Sequence, residues 1–288
     1  FGAKTENGTY MYGGAHSGVW RDDHVRYLGA AAKMNVNMAF YPDGLLGEIV
    51  GDDGIDFNID GVFLLQQAQF RLKESNWWLG GSYTYVNADN TFELFDDLPV
   101  DLPNPTYEFT LGSVSIFLEY DGRNTTFTPT DGWSGKVEFK DYDENWGSDF
   151  DYQHYKGKLF KFTPFGKYSS LGLRVEAEAV NGDAPFFGYP FVGLRGIPAM
   201  RYQGQEVITG EAEYLWGFTP RWSMVFFGGA GYTTAIKTLD GESRTVGAGG
   251  LGVRYRLARK LPLQAGFDIA RGPEDTSFYI TVGNAWSF

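Results

Sequence analysis

The segment "LGLRVEAEAV" sets Leu171, Leu173, Val175, Ala177 and Ala179 on one side of an extended chain and Gly172, Arg174, Glu176 and Glu178 on the other. A period of two residues describes a strand with one greasy and one charged face, not a helix. The pattern returns in "GEAEYLWGF", where Ala212, Tyr214, Trp216 and Phe218 oppose Glu211, Glu213 and Leu215. It returns in "GGLGVRYRL", where Leu251, Val253, Tyr255 and Leu257 oppose Gly250, Gly252, Arg254 and Arg256. In "LPLQAGFDIARG", Leu263, Ala265, Phe267 and Ile269 oppose Gln264, Gly266, Asp268 and Ala270. A soluble sandwich makes this pattern by turning its charges to water. A membrane barrel makes it by turning its apolar face to lipid and keeping ionised groups inside. Aromatic residues at the ends of apolar faces, such as Trp216 and Phe218 or Trp77 and Trp78, favour the barrel, because such rings form girdles at the membrane interfaces.

Composition narrows the function classes. No run of about 18 apolar residues exists, which excludes a helical span. The mean hydropathy of -0.29 is what alternating strands produce. A net charge of -12 argues against a nucleic-acid partner, whose phosphates it would repel. With no cysteine there are no disulfides or thiolate metal sites. His16, His24 and His154 are too scattered for a zinc site. The carboxylates Asp52, Asp53, Asp56 and Asp60 lack the spacing of a calcium loop, leaving only weak cation binding as an outside reading. No Ser-His-Asp order, phosphate loop or nucleotide fingerprint stands out, and the alternating glutamates are explained by the strands rather than by a glycosidase dyad. A non-enzyme with no metal and no cofactor is expected. The chain begins at Phe1 without a signal peptide, as a mature or trimmed sequence does.

Strands are expected at residues 9–20, 26–41, 55–73, 76–93, 106–121, 133–147, 150–166, 168–182, 206–219, 221–234, 245–258, 261–272 and 275–288. Residues 1–7, ahead of the Asn7-Gly8 turn signal, supply one more. The fold class is therefore all-β: a transmembrane antiparallel β-barrel of about 14 strands, with twelve or sixteen as alternatives. Residues 1–288 form one domain, since no linker or composition break divides them. Short turns such as "KESNW", "TPFGKYS", "GFTPRW" and "ARKLP", with the longer "DGRNTTFTPTDGW", belong on the periplasmic side; the long acidic connections and 183–205 belong outside.

The last residues, "FYITVGNAWSF", place Gly283, Trp286 and Phe288 in a pattern that resembles the terminal-strand signal of bacterial outer-membrane barrels. "LRGI" (Leu194, Arg195, Gly196, Ile197), in a long loop followed by five strands, resembles the inward-folded loop motif of the BamA/TamA superfamily. "YDGRNTTFTPTDG" (residues 120–132) is similar to that family's Y-D-x-R-D-x-x-x-x-P-T-x-G turn, and "GEAEYLW" to the strand after its loop. The resemblance covers essentially the whole chain. Two departures stand out: Gly229 in "FGGAG" (Phe227–Gly231) occupies the place of an aspartate, and the periplasmic POTRA domains of the family are missing from the sequence.

The resemblance implies a barrel of the Gram-negative outer membrane that assists insertion or translocation of polypeptides or lipids, opening sideways between its first and last strands. The partners implied are outer-membrane lipid and lipopolysaccharide, a client polypeptide and a periplasmic partner protein; no nucleic acid is expected. The alternative is a passive pore or structural barrel that keeps the fold without insertase activity. In a loop at 183–205 folded into the lumen, Arg195 and Arg201 would meet carboxylates of the wall: Glu176, Glu178, Glu211, Glu213 or Asp268, the last also within reach of Arg254 or Arg256. Guanidinium suits this because its planar fork grips a carboxylate through two hydrogen bonds. The competing reading leaves both arginines solvated on an exposed loop.

Overall fold

The computed structural model describes residues 2–4, 7–42, 54–94, 103–236, 242–257 and 263–286. Its strands are β1 (Gly2–Lys4), β2 (Tyr10–Trp20), β3 (Val25–Phe40), β4 (Ile55–Arg71), β5 (Trp77–Phe92), β6 (Thr106–Asp121) and β7 (Gly132–Tyr142). There follow β8 (Tyr152–Pro164), β9 (Ser170–Gly182), β10 (Glu206–Gly217), β11 (Trp222–Thr233), β12 (Arg244–Arg256), β13 (Gln264–Arg271) and β14 (Thr276–Val282). They form one 14-stranded antiparallel sheet in sequence order. No pairing of β1 with β14 occurs among the described residues.

Most boundaries fall within three residues of the sequence reading, and two differ by five or more. The strand expected to run to residue 147 stops at Tyr142, because the Asp143 side chain accepts from Asn145 N and starts a 3₁₀ turn, Glu144–Trp146, that Gly147 ends at φ 85°. The last strand stops at Val282, and Gly283 at φ 88° turns the chain off the sheet.

The loop after β9 shows how the sheet curves. Its Phe186 packs on Phe40, Phe57 and Phe92 of β3, β4 and β5, and its Phe187 on Phe109 of β6. The same loop gives Arg195 to β10 and β13 and the Gly196 N–H to Tyr279 of β14. A 23-residue connection between β9 and β10 (183–205) that reaches β3 and β14 lies within a sheet wrapped around it.

Along β3–β6 the two faces exchange polarity partway up. Toward the short turns the convex face is apolar, with Phe70, Leu79 and Ile116 exposed, and Val62 marks the boundary between Lys33 and Asn87. At the other end that face carries Lys33, Asn35, Asn58, Asp60, Asn87, Asp89 and Glu108, with Asp60 opposite Asp89 and Asp89 opposite Glu108. There the concave face turns apolar instead, with Phe57, Ile59, Ala88 and Phe109 closing around Met200 of the loop. The reason is length. About 10 tilted residues cross a hydrocarbon core, whereas these strands have 16 or 17. In a membrane barrel the surplus would project beyond lipid and fold like a soluble protein, polar outside and greasy within.

At the turn end of the convex face, Tyr120 stacks on Trp133 at 3.9 Å, with Trp77 5.1 Å from Tyr120. This is the aromatic belt expected where a sheet meets an interface.

The band predicts opposite outcomes for one charge. Ile116→Arg should cost about 2–4 kcal/mol near mid-bilayer, while Asp89→Arg, which interrupts a row of like charges, should be neutral or stabilising. Denaturant unfolding from lipid vesicles measures both, and equal costs would refute the band.

Candidate functional site

The site is built on the loop at 183–205. Its neck is a bridge between Phe191 and Gln203, with Val192 N donating to Tyr202 O at 3.0 Å. Gln203 Nε2 donates to the carbonyls of Phe186 and Tyr189, which fixes the aromatic end. At the tip the Ile197 N–H closes on Leu194 O, and Gly196 takes φ 95° against the backbone of Arg271 and Gly272, where a Cβ would lie 3.0 Å from both. Glycine is the residue that adopts this conformation without strain.

The seat for the loop is made by glycines of β11. Val192 fills the space over Gly231, and a Cβ on Gly229 would sit 2.8 Å from Leu194 Cδ2. The aspartate that the sequence resemblance leads one to expect at 229 therefore has no room here. Val192, Leu194, Ile197 and Tyr202 bury themselves with Val207 of β10.

Held this way, Arg195 reaches three carboxylates. Its Nε and Nη2 donate to Glu211 Oε1 at 3.1 and 2.7 Å, Nη2 to Glu213 Oε2 at 2.6 Å, and Nη1 to Asp268 Oδ2 at 3.0 Å. The guanidinium also lies over the ring of Phe227, Cζ 3.5 Å from its centroid. Arg254 makes a two-bond contact with Asp268, Nη2 to Oδ2 at 2.9 Å, and Arg174 Nη1 reaches Glu211 Oε2 at 3.2 Å. Three arginines thus meet three carboxylates. The site is buried: side-chain exposure is 10% at Arg195, 2% at Glu211 and 0% at Asp268. Register explains the convergence, since Arg174 is the direct cross-strand partner of Glu211 and Arg254 lies two residues along the same face from Gly252, the partner of Asp268.

Two further segments meet the network from the turn side. The tail after β14 carries Trp286, whose Nε1 donates to Glu211 Oε2 at 2.7 Å. Its ring fits over Gly172, where a Cβ would come within 2.7 Å, and near Phe160 and Phe162. The β6–β7 connection contributes Thr128, Pro129 and Thr130, which line a cavity of about 20 Å³ with Glu213, Arg254, Gly283 and Asn284. Within that connection Arg123 Nε and Nη2 donate to Asp121 at 2.8 Å each.

Of the residues singled out from sequence, Leu194, Arg195, Gly196, Ile197, Glu211, Glu213 and Asp268 come together. Glu176 and Glu178 do not join Arg195: Glu176 takes Arg174 and Lys158, and Glu178 takes His154 at 3.0 Å and Lys156 at 2.6 Å. Both sit too far along β9 toward the outer end. Arg201 turns to Glu274 in the β13–β14 connection and lies over the Tyr41 ring. Burial and the hydrogen bond to Glu274 push the neighbouring Tyr202 phenol up to about 12. Gly283 and Trp286 correct the reading of a terminal strand signal: they lie beyond the last strand, in a tail folded onto the concave face. Phe288, Asp52 and Asp53 lie outside the described residues. Arg174 joins the network as the cross-strand partner of Glu211, a register that the alternation of the two strands does not by itself disclose.

No family model matches the sequence, and no curated protein matches it. Among solved structures, the crystal structure of BamA from Haemophilus ducreyi lacking POTRA domains 1–3 superposes with a TM-score of 0.64 at 12% identity. The likeness covers 96% of this chain and 62% of that one. At such identity the likeness is one of fold: this all-β sheet is built like a BamA barrel.

Arg195→Ala would leave three buried carboxylates with two arginines. Removing one partner of a buried pair costs about 3–5 kcal/mol, so the midpoint of heat-induced mobility change on gels should fall sharply. Arg195→Lys should recover only part of it, lacking the fork geometry.

Proposed function

We propose that the chain is a β-barrel of the Gram-negative outer membrane, its sheet closing between β14 and β1, that assists the insertion or translocation of polypeptides, or of lipids, without enzymatic chemistry. The observation that carries this reading is the Arg195 network inside a BamA-like fold. A loop held by three buried carboxylates keeps one side of the wall rigid, from β10 to β13. The closing side is slight by comparison, since β14 has 7 residues and β1 has 3 among the described residues. A rigid side and a weak edge together allow the seam to part and offer unpaired backbone groups to a client strand. Outer-membrane lipid and lipopolysaccharide would surround the convex face, and a periplasmic partner protein would deliver the client.

The second reading, a structural barrel without insertase activity, is favoured by Gly229. With Leu194 seated there, the loop fits its wall closely, as in a permanent brace. A passive pore is less favoured, because the loop lies across the outer end while the tail and the β6–β7 connection lie across the other.

Depletion in the native host separates these readings. An insertase predicts loss of several other outer-membrane proteins; an unchanged outer-membrane proteome would leave the structural reading. Planar-bilayer recordings should show little steady conductance for the natural sequence and more for Arg195→Ala.

A further inference from the structure

Glu211 is shared between two segments that have no other reason to know of each other. Its Oε1 accepts the two bonds from Arg195 of the outer loop; its Oε2 accepts Trp286 of the tail and Arg174 of the neighbouring strand. One buried carboxylate therefore anchors the plug of one mouth and the latch of the other. We propose that Glu211 interlocks them: the Trp286 tail seals the arginine–carboxylate network from water, and the seated loop in turn holds Glu211 where Trp286 can reach it.

The sign of the coupling follows from the dielectric. Charge-assisted bonds are strong where water is excluded and weaken where it enters. The indole covers Gly172 on the turn side of the network; a 20 Å³ cavity, about the volume for one water, adjoins Glu213 and Arg254, and a larger cavity of about 310 Å³ is lined by Trp286 itself with Phe160 and Lys158. Lifting the tail admits solvent to Glu211 and loosens Arg195. Withdrawing Arg195 takes both donors from Glu211 Oε1 and the arginine contact from Glu213, while Arg174 still holds Oε2; Glu211 is then free to rotate toward water, which disturbs the acceptor of Trp286. Coupling of this kind is reciprocal: each segment stabilises the other by the same factor.

The described anchors of the tail support release. Beyond the indole bond they are Gly283 N to Gln264 O at 2.7 Å and Trp286 N to Asn284 Oδ1 at 2.8 Å, the second internal to the tail. The loop, by contrast, is held at its neck, its tip and its Arg201–Glu274 contact. The tail is the part that moves first, and the state of the loop sets how readily it does so.

The chain has no cysteine, so single reporters label cleanly. Ala285→Cys reports on the tail and Phe191→Cys on the loop, each read as the rate of reaction with a hydrophilic maleimide on the full chain in detergent micelles or vesicles. Trp286→Ala should speed labelling at Phe191→Cys by roughly tenfold, equivalent to about 1.4 kcal/mol of coupling. Glu211→Gln should speed both reporters. Trp286→Phe, which fills the Gly172 slot without an N–H, should fall between the natural residue and alanine. Arg201→Ala loosens the loop away from Glu211 with the Arg195 contacts in place, and should speed Ala285→Cys much less than Glu211→Gln does. Should Arg195→Ala not fold, the tryptophan series alone decides: a Phe191→Cys rate that stays the same in Trp286→Ala overturns the interlock, as does an Arg201→Ala effect on the tail equal to that of Glu211→Gln.

Discussion

Three arginines facing three carboxylates in a buried site is the constraint around which the rest of the molecule is arranged. Burying a charge is costly unless it is paired and hydrogen-bonded. Each member here therefore depends on residues brought from elsewhere in the chain: Arg195 from a loop, Arg174 from β9, Glu211 and Glu213 from β10, Arg254 and Asp268 from β12 and β13. Such a network is weak evidence for extra stability. It is strong evidence for a unique position, since a loop seated elsewhere would strand the acids.

The glycines of β11 show how packing and electrostatics cooperate. Val192 and Leu194 lie over Gly231 and Gly229, and that contact places Arg195 over Phe227 and between the acids. A larger residue at 229 would lift the loop away, and the ionic contacts, which fade with distance, would go with it.

Much of this was legible in the residues. Alternation in "LGLRVEAEAV" and "GEAEYLWGF" fixed which side chains face inward, and inward acids beside an arginine-bearing loop pointed to Glu211, Glu213 and Asp268. What stayed hidden was depth along the strand. Glu176 and Glu178 share a face with Arg174, yet they lie opposite Lys158 and Lys156 of β8, and periodicity alone does not disclose how far along β9 the arginine of the following long loop is seated. Trp286 was hidden for another reason: a tail beyond the last strand obeys no alternation, and only Gly283 marks the place where it departs. The exchange of polarity on β3–β6 was written in Asn35, Asn58, Asp60 and Asp89, but a strand that outruns the membrane reads like one that ends in a loop.

The ring cluster of Trp77, Tyr120 and Trp133 bears on how the protein rides in its bilayer. Indole and phenol groups favour the headgroup level, and the carboxylates at 60, 89 and 108 resist being drawn down from the opposite end. In the proposed membrane barrel these two stops would leave the cylinder free to spin about the membrane normal with little freedom to bob, holding Glu211 at one altitude while neighbouring lipids come and go.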